Sequence, residues 1–391
     1  MTDIAIAARV DRLARSGLFK LLGEGHREKV VDLALGVPGA PLTPPKLIET
    51  ACAALREGIN QYELPDGNVE LRRRIAAALP TPTDPLTELT ITVGSSEALS
   101  AAVLATVNPG DEVIVFEPFY ENFLSAIALA GGVPRLVRVV APDWRYDLAE
   151  LRAAFGPRTK AVVLCTPNNP TGHMLTPQEF AEIAELCDHW NAIVISDEIY
   201  AGYVYDGKQH VSAAGVPALR ERSIVIGSLS KSHAVSGWRI GYLRACATLS
   251  SAVRRVHEAI CGGGAAPLQE AAARAAATEP DFLKPGMDLS VQRNLVTQIF
   301  DEVGFRCIPP DGGCYVMADI RHFTDEDGES MAYRVVREAG VMVAPGTFFY
   351  SDDVAGARLV RVAFNRQLET LIEAERRLSV YRPDAHTRSS R

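Results

Sequence analysis

The chain has 391 residues, of which 47% are hydrophobic and 23% are charged, which is the composition of an ordinary globular protein with room for one large domain and a smaller one. Its 40 basic and 48 acidic residues give a formal net charge of -8, and the lack of any Lys/Arg run argues against nucleic acid as a partner. No segment has the apolar length of a membrane span, and Asp3, Arg9 and Asp11 interrupt the N-terminal stretch where a secretory signal would be apolar. We therefore expect a cytoplasmic protein.

The first forty residues contain an amphipathic helical pattern that ends in the irregular stretch LGVPGAPLTPP. The pattern rests on Val10, Leu13, Leu18, Leu21 and Leu22. Two more helices are predicted, one over residues 45–57 and one after the turn in NQYELPDG, and Tyr62 lies in the connection between them.

Seven short apolar runs follow the proline-rich joint at residues 80–85 and alternate with helical patterns. They are LTITV, EVIVFEP, PRLVRVV, KAVVLCTP, AIVISDE, SIVIGSLS and IGYLRA. Several are apolar on both faces, which favours a buried, mostly parallel seven-stranded sheet covered by helices in an α/β/α sandwich. Ligands of such sheets bind beyond the carboxyl ends of the strands.

The chain beyond residue 285 has a different pattern. A helix is predicted over residues 287–303 and another over 331–339, followed by the strands GVMVAPG and LVRVAFN, a closing helix over 368–381 and the polar tail RPDAHTRSSR. This mixture predicts a small α+β domain. The predicted organisation is a segment at 1–45 that joins the small domain, a large domain at 46–285 and the small domain at 286–391.

The cysteines and histidines give no sign of a metal site. The seven cysteines are an odd number without a CxxC pair, which is typical of reduced core thiols; they are Cys52, Cys165, Cys187, Cys246, Cys261, Cys307 and Cys314. The eight histidines contain no HExxH motif or close cluster in the sequence. We therefore expect neither a disulfide framework nor a bound metal.

Polar residues follow several of the predicted strands. Gly94, Ser95 and Ser96 come after LTITV and open a helix, so their N–H groups and hydroxyls can face an anion at the helix N-terminus. Tyr120 follows EVIVFEP, where its ring can stack on a flat ligand. The GxGxxG pattern is missing, which weighs against a dinucleotide cofactor and a nucleotide-binding oxidoreductase.

The strongest signals lie in the later strands. Asp197 ends an otherwise apolar strand, and such a carboxylate needs a positive partner, for which a protonated pyridine nitrogen is suited. Lys231 supplies an amine for an aldehyde, Arg239 a guanidinium for a phosphate, and Ser228 a hydroxyl close by in the sequence. Together with the turn at Asn168–Gly172, these residues describe a site for pyridoxal 5'-phosphate.

From about residue 33 to about residue 364 the sequence resembles the fold-type-I aminotransferases of class I and II. The motifs that carry the resemblance are NNPTG, SDEIY, SLSKS with Arg239 eight residues after its lysine, and VRVAF. The resemblance implies that Lys231 is the Schiff-base lysine and that Asp197 is the partner of the pyridine nitrogen. It also implies that Tyr200 and Asn169 bond the phenolic oxygen of the cofactor.

The same resemblance implies the remaining site residues. Those expected to hold the phosphate are Ser95, Ser96, Ser228 and Arg239. Tyr120 is the expected stacking ring, and Tyr62 is similar to the tyrosine that reaches the phosphate of the neighbouring subunit, which implies a homodimer. The α-carboxylate of the substrate is expected to meet Arg361, Asn169 and the backbone at Gly36.

The implied reaction is a ping-pong transamination between an L-amino acid and a 2-oxo acid, with Lys231 moving the α-proton. The stretches SLSKSHAVSGWRIGY, PDGGCYVMADIR and DGKQHVSAAGVPAL resemble arginine:pyruvate transaminases, which suggests an arginine-like donor. Two alternatives remain: a lyase or cyclase acting on an arginine derivative with the same lysine, and a pyridoxal-binding regulatory module, for which the chain lacks spare length and a basic patch.

Overall fold

The computed structural model describes residues 6–13, 17, 21, 30–279, 281–283 and 288–381. Within them the strands, in chain order, are β1 (Val31–Asp32), β2 (Leu89–Val93), β3 (Glu112–Glu117), β4 (Val133–Val140), β5 (Arg145–Tyr146), β6 (Thr159–Cys165), β7 (Ile193–Asp197), β8 (Ser223–Ser228), β9 (Ile240–Ala245), β10 (Arg306–Ile308), β11 (Tyr315–Asp319), β12 (Val341–Met342), β13 (Ala344–Pro345) and β14 (Leu359–Ala363).

The α-helices of the same part of the chain are Pro45–Arg56, Val69–Ala78, Gly94–Thr106, Asn122–Ala130, Leu148–Ala154, Pro177–His189, Leu229–Ser232, Ala247–Cys261, Ala266–Thr278, Ser290–Val303, Gly328–Ala339 and Leu368–Leu378. Short 3-10 helices lie at Val10–Arg12, Ala213–Gly215, Ser236–Trp238, Gly346–Phe349 and Ser379–Tyr381. None of the described helices is long and apolar enough to span a bilayer.

The large sheet has the order β2-β9-β8-β7-β6-β3-β4-β5. Its central strands β8, β7, β6, β3 and β4 pair in parallel, whereas β9 runs antiparallel to both β2 and β8. The prediction of a mostly parallel α/β sheet is therefore confirmed. The seven apolar runs form seven of its strands, and the eighth, β5, is a two-residue strand that folds back antiparallel on β4.

The large sheet is the middle of three layers because its strands are apolar on both faces. In β3, Val113 and Val115 belong to a core with the helices Gly94–Thr106 and Asn122–Ala130, whereas the intervening Ile114 belongs to a second core on the other face. Successive side chains of a strand point to opposite faces, so this alternation places helices on both sides.

The chain beyond residue 288 builds a four-stranded antiparallel sheet in the order β10-β11-β14-β13. The helices Ser290–Val303, Gly328–Ala339 and Leu368–Leu378 contribute apolar side chains to the core on this sheet, which also contains Tyr200. A two-stranded parallel ladder of β1 and β12 joins the N-terminal segment to this part. The predicted boundaries at residues 45 and 285 stay a prediction.

Several predicted helices differ from the structure at their ends, and the one predicted over residues 331–339 begins at Gly328. The N-terminal pattern gives a 3-10 helix at Val10–Arg12, while Leu18 and Leu22 lie outside the described residues. The closing helix ends at Leu378 and continues as a 3-10 turn. Met287 and the tail 382–391 also lie outside the described residues.

The topology brings the polar strand ends together. Strands β2, β3, β6, β7 and β8 all point the same way, so the segments that follow them meet at one edge of the sheet. Antiparallel β9 begins at that edge, which places the segment before it there too. The site residues predicted from the sequence are therefore expected at this edge of the sheet.

Candidate active site

A cavity of about 220 Å³ lies at this edge of the large sheet. Ten of the twelve predicted site residues line it, and the two that do not are Ser228 and Tyr62. The ten are Gly36, Ser95, Ser96, Tyr120, Asn169, Asp197, Tyr200, Lys231, Arg239 and Arg361. Residues up to 325 positions apart in the chain, Gly36 and Arg361, thus meet in one cavity.

Lys231 projects into the cavity from the four-residue helix after β8. Its Nζ donates a hydrogen bond to the carbonyl of Gly36 at 2.7 Å. Burial lowers the pKa of Lys231, and the positive charges of Arg361 and Arg239 lower it further. A lysine in this environment holds a larger share of neutral amine, which is the nucleophilic and basic form.

Asp197 lies at the carboxyl end of β7, with 6% of its surface exposed. Its Oδ1 accepts a hydrogen bond from the N–H of Ile199 at 3.3 Å. Desolvation raises the pKa of this carboxyl from 3.8 to about 7, and the nearby charge of Glu198 raises it as well. Among the described salt bridges none includes Asp197, so its carboxylate is available to a cationic ligand in the cavity.

Another part of the cavity lining is suited to an anion. Ser95 and Ser96 lie in the first turn of the helix Gly94–Thr106, which no described side chain caps. Gly94 adopts φ +75, and a Cβ at this position would overlap the guanidinium of Arg239. Helix N–H groups, two hydroxyls and a guanidinium therefore converge here, and these are donors that hold a phosphate.

Arg361 extends from β14 into the cavity and is 2% exposed. Its guanidinium carbon lies 4.1 Å from the ring centre of Tyr315 and 4.5 Å from that of Phe349. Nη1 donates to Oδ1 of Asn169 at 2.7 Å, and Nη2 donates to the carbonyl of Ala34. The rings and acceptors fix the guanidinium plane, and no described carboxylate forms an ion pair with it, so the charge is available to an anionic substrate group.

Tyr315 is a cavity residue that the sequence analysis did not identify. Its hydroxyl lies 3.0 Å from that of Tyr200, and a Cβ on Gly36 would overlap the same hydroxyl. The tyrosine stands in the stretch PDGGCYVMADIR, for which the sequence analysis predicted no element, and alternation alone does not separate a core ring from a cavity ring. Tyr315 therefore ties the end of β7 to the loop that carries Gly36.

Arg366 is a second residue that the sequence analysis missed. It is 7% exposed and donates to the carbonyls of Asp32 at 2.7 Å and Val37 at 2.8 Å. These bonds fix the loop on which Gly36 faces Lys231. The sequence showed only a second arginine five positions after Arg361, and it did not indicate which groups this arginine contacts.

Ser228, which was predicted to hold the phosphate, does not line this cavity. Its hydroxyl oxygen caps the short helix, accepting from the N–H of Ser230 at 3.0 Å, and it donates to the carbonyl of Ile240 at 3.0 Å. Ser230 and Ser236 line the cavity in its place. A serine directly before a helix is a preferred N-cap, and this local role accounts for its orientation.

Tyr120 and Tyr62 have contrasting surroundings. The Tyr120 ring lines the cavity, and its hydroxyl accepts a hydrogen bond from Nδ2 of Asn122 at 2.8 Å. Burial raises the pKa of Tyr120 to about 12, so this phenol stays neutral. Tyr62, in contrast, is 98% exposed and lies outside the cavity of its own chain.

Taken together, the donor set fits pyridoxal 5'-phosphate. The buried amine of Lys231 suits its aldehyde, the carboxyl of Asp197 its pyridine nitrogen, and the helix N-terminus with Arg239 its phosphate. Thus the cavity has a matching group for the aldehyde, the pyridine nitrogen and the phosphate of that cofactor.

Comparison with known proteins agrees with this geometry. Residues 28–378 match the family described as "Aminotransferase class I and II". The chain is 36% identical over 367 residues to "Probable N-succinyldiaminopimelate aminotransferase DapC" of Mycobacterium tuberculosis, an alignment that covers 90% of this chain and 92% of that protein. It is also 30% identical over 358 residues to the methionine aminotransferase of Escherichia coli, again covering 90% and 92%.

A solved structure of N-succinyldiaminopimelate aminotransferase from M. tuberculosis superposes on the fold with a TM-score of 0.91 at 34% sequence identity. The superposition covers 96% of this chain and all of that one (100%). From the family match, the relatives and the cavity, we conclude that the chain belongs to the class I and II aminotransferases and is a pyridoxal-phosphate-dependent enzyme of fold type I.

Proposed function

We propose that this enzyme moves the α-amino group of an L-amino acid to a 2-oxo acid in two half-reactions at one site. The observation that carries the proposal is the cavity in which Lys231, Asp197 and Arg361 converge. These three residues supply an amine, a carboxyl group and a guanidinium, which transamination of an α-amino acid requires together.

Several side chains and one helix terminus would hold the cofactor. Lys231 would bind its aldehyde carbon, Asp197 its pyridine nitrogen, and Arg239 its phosphate together with the serines of the first turn, Ser95 and Ser96. The ring of Tyr120 would stack on the pyridine face. Since Ser230 lines the cavity and Ser228 does not, we assign Ser230 to the phosphate side in place of the predicted Ser228.

When bound, the cofactor supplies an aldehyde and an electron-withdrawing ring, which accept the amino group and stabilise negative charge at the substrate α-carbon. Lys231, once free of the aldehyde, takes the α-proton on its Nζ. This step requires a neutral amine, and the lowered pKa of the buried lysine favours that form. The hydroxyl of Tyr200, and the amide of Asn169, would bond the phenolic oxygen.

Arg361 would bind the substrate α-carboxylate, because its guanidinium is buried, fixed by two rings and without a described ion-pair partner. Asn169 already accepts a hydrogen bond from Nη1 and would align the same carboxylate. Holding the carboxylate at one point sets the orientation of the Cα–H bond relative to Lys231, which is how positioning lowers the barrier of a proton transfer. The backbone at Gly36 completes this clamp.

The identity of the amino donor is the finer part of the proposal. The compared relatives are named for N-succinyldiaminopimelate and for methionine, and these donors differ in side-chain charge and length. The arginine-like donor that the motifs suggest has no support from these relatives. We therefore propose an α-amino acid donor whose side chain a panel of substrates must identify.

The experiment is a half-reaction panel in which single amino acids are added to the cofactor-loaded enzyme without a 2-oxo acid. The panel contains methionine, kynurenine, N-succinyldiaminopimelate and arginine. A transaminase converts its bound cofactor to the amine form and then transfers that amine to pyruvate or 2-oxoglutarate. If ammonia or a cyclised product forms and the cofactor returns unaminated, the enzyme is a lyase or cyclase, and transamination is excluded.

The Lys231→Ala variant tests the role of the lysine. It is expected to lose both turnover and the visible absorbance of the lysine-bound cofactor. An alanine variant that transaminates at the parent rate would contradict the assignment.

A homodimer is also part of the proposal. Tyr62 is 98% exposed in the single chain. A tyrosine buries much apolar surface when a second chain covers it, which favours association. We propose that it reaches the phosphate of the neighbouring site. Sedimentation of the holoenzyme tests the dimer, and Tyr62→Phe tests the contact through cofactor affinity, which is expected to fall several-fold; an unchanged affinity would exclude it.

A further inference from the structure

A cluster of three potential metal ligands lies outside the active-site cavity. It consists of Glu97 in the helix Gly94–Thr106 and of His257 and Cys261 in the helix Ala247–Cys261. The histidine and the cysteine are four positions apart in the sequence, so they share one helix face. None of the three lines the cavity that contains Lys231.

The ligand atoms of the cluster are close to one another. Nδ1 of His257 lies 3.0 Å from Oε2 of Glu97 and 3.3 Å from Sγ of Cys261. All three ligand atoms fall within 4.8 Å of one another. A tetrahedral zinc ion with bonds of about 2.0 to 2.3 Å holds its ligands about 3.2 to 3.7 Å apart, so two of the three separations already approximate that geometry.

A second observation points to a cationic ligand. Oε2 of Glu97 accepts a hydrogen bond from the N–H of Val93 at 3.1 Å, but Oε1 is buried and has no hydrogen-bond partner among the described residues. A buried carboxylate oxygen without a partner costs free energy. The neighbouring His257 is fully buried at 0% exposure and is held in place by the glutamate.

We propose that Glu97, His257 and Cys261 form a binding site for one zinc-type divalent cation. Thiolate, imidazole and carboxylate are the donors that zinc prefers, and three protein ligands leave a fourth position to water. On binding, Cys261 forms a metal–sulfur bond and releases its thiol proton to solvent. Nδ1 of His257 gives up its hydrogen bond to Glu97 and binds the metal as a neutral imidazole with its proton on Nε2. The S–H group now donates to the carbonyl of His257 at 3.2 Å, and it would exchange that bond for the metal.

The site is expected to be independent of the catalytic cofactor, because its residues do not line the same cavity. No sign of this site was visible in the sequence. His257 and Cys261 are close in the sequence, but Glu97, the third ligand, lies 160 positions before His257. The alternative is a structural contact in which Glu97 and His257 form only a buried hydrogen bond. The two readings differ in cation binding and in the role of the thiol.

The experiment is equilibrium dialysis of the holoenzyme against Zn²⁺ with measurement of bound metal, together with the ultraviolet difference spectrum on adding Cd²⁺, which reports a cadmium–thiolate bond. We expect one equivalent of Zn²⁺ and a thiolate band. Cys261→Ala is expected to weaken binding at least about tenfold and to abolish the band. Cys52→Ala, at an exposed free cysteine, is the matched control and is expected to bind like the parent.

Two results would overturn the proposal. One is a parent enzyme that retains well below one equivalent of zinc after dialysis. The other is a Cys261→Ala variant that binds zinc with the affinity of the parent, which would place the metal elsewhere. Glu97→Gln supplies an independent check, because it keeps a side chain of the same shape and is also expected to weaken binding at least about tenfold; unchanged binding in this variant contradicts the site.

Discussion

Arg361 gives the sharpest test of the active-site geometry. In Arg361→Gln the charge and the planar fork are lost, together with the hydrogen bond from Nη1 to Oδ1 of Asn169. The parent guanidinium is 2% exposed and lies between the rings of Tyr315 and Phe349. In the variant, no charged group from the solvent side can therefore take the place of the guanidinium.

The magnitude follows from the bonds at stake. A guanidinium that donates two hydrogen bonds to a carboxylate contributes about 1.5 to 3 kcal/mol per bond. Loss of both is about 3 to 6 kcal/mol, which corresponds to a fall in kcat/KM of about 10² to 10⁴. Arg361→Lys keeps the charge and loses the fork, so we expect a smaller fall of about tenfold to a hundredfold.

The assay compares an L-amino acid with the matching amine that lacks the α-carboxylate, each as a single half-reaction. The parent is expected to prefer the amino acid strongly. In Arg361→Gln the rate with the amino acid falls, the rate with the amine stays within about threefold, and the preference disappears. If the variant loses both rates equally, or if it retains the preference, Arg361 does not bind the α-carboxylate and the reasoning is refuted.

Three further predictions concern the cofactor side of the cavity. In Gly94→Ala the Cβ would overlap Arg239, so cofactor affinity measured by equilibrium dialysis is expected to fall at least about tenfold. The control is Gly58→Ala, because Gly58 has a similar φ of +87 but no atom within 4 Å of an added Cβ. This variant is expected to leave cofactor affinity unchanged. Since burial raises the pKa of Asp197 from 3.8 to about 7, its ionised form destabilises the cofactor-free fold, fully above pH 7 and not below about pH 4. Asp197→Asn is therefore expected to raise the thermal midpoint of the cofactor-free protein at about pH 8 and not at about pH 4, and an equal effect at both would contradict the buried carboxylate. In Tyr315→Phe, loss of the hydroxyl contact to the end of β7 is expected to lower kcat about two- to tenfold with little change in cofactor affinity, and an unchanged kcat would show that the contact is not used.

Much of the large sheet could be predicted because its signals are local. Each of the seven apolar runs is bounded by breakers, and a strand apolar on both faces must be covered on both. Lys231, Asp197 and Asn169 could be predicted as neighbours for the same reason, since each follows a strand and parallel strands end at one edge. Their positions shortly after predicted strands were enough to place these residues at the same edge of the sheet.

Other features depend on contacts that have no local signal. Ser228 and Ser230 are two residues apart in the same polar stretch, and only the backbone at the start of the short helix decides that the first caps it and the second faces the cavity. Tyr315 lies in β11 and Arg366 follows β14, and both contact residues from distant parts of the chain, so their roles depend on how those parts meet. Spacing in the sequence carries no information on such a meeting.

The two central ionisable groups of the cavity are shifted by one cause in opposite directions. Desolvation lowers the pKa of Lys231 and raises that of Asp197, because burial disfavours the charged form of each. The amine therefore tends to lose its proton and the carboxyl to keep one, which leaves a nucleophile ready for an aldehyde and a proton ready for a pyridine nitrogen. With a pyridine nitrogen bound beside it, Asp197 would hold that proton against the ring and would gain the cationic partner that its position at the end of an apolar strand requires. A single physical factor, exclusion of water from the edge of the sheet, thus prepares both ends of the site for the same ligand.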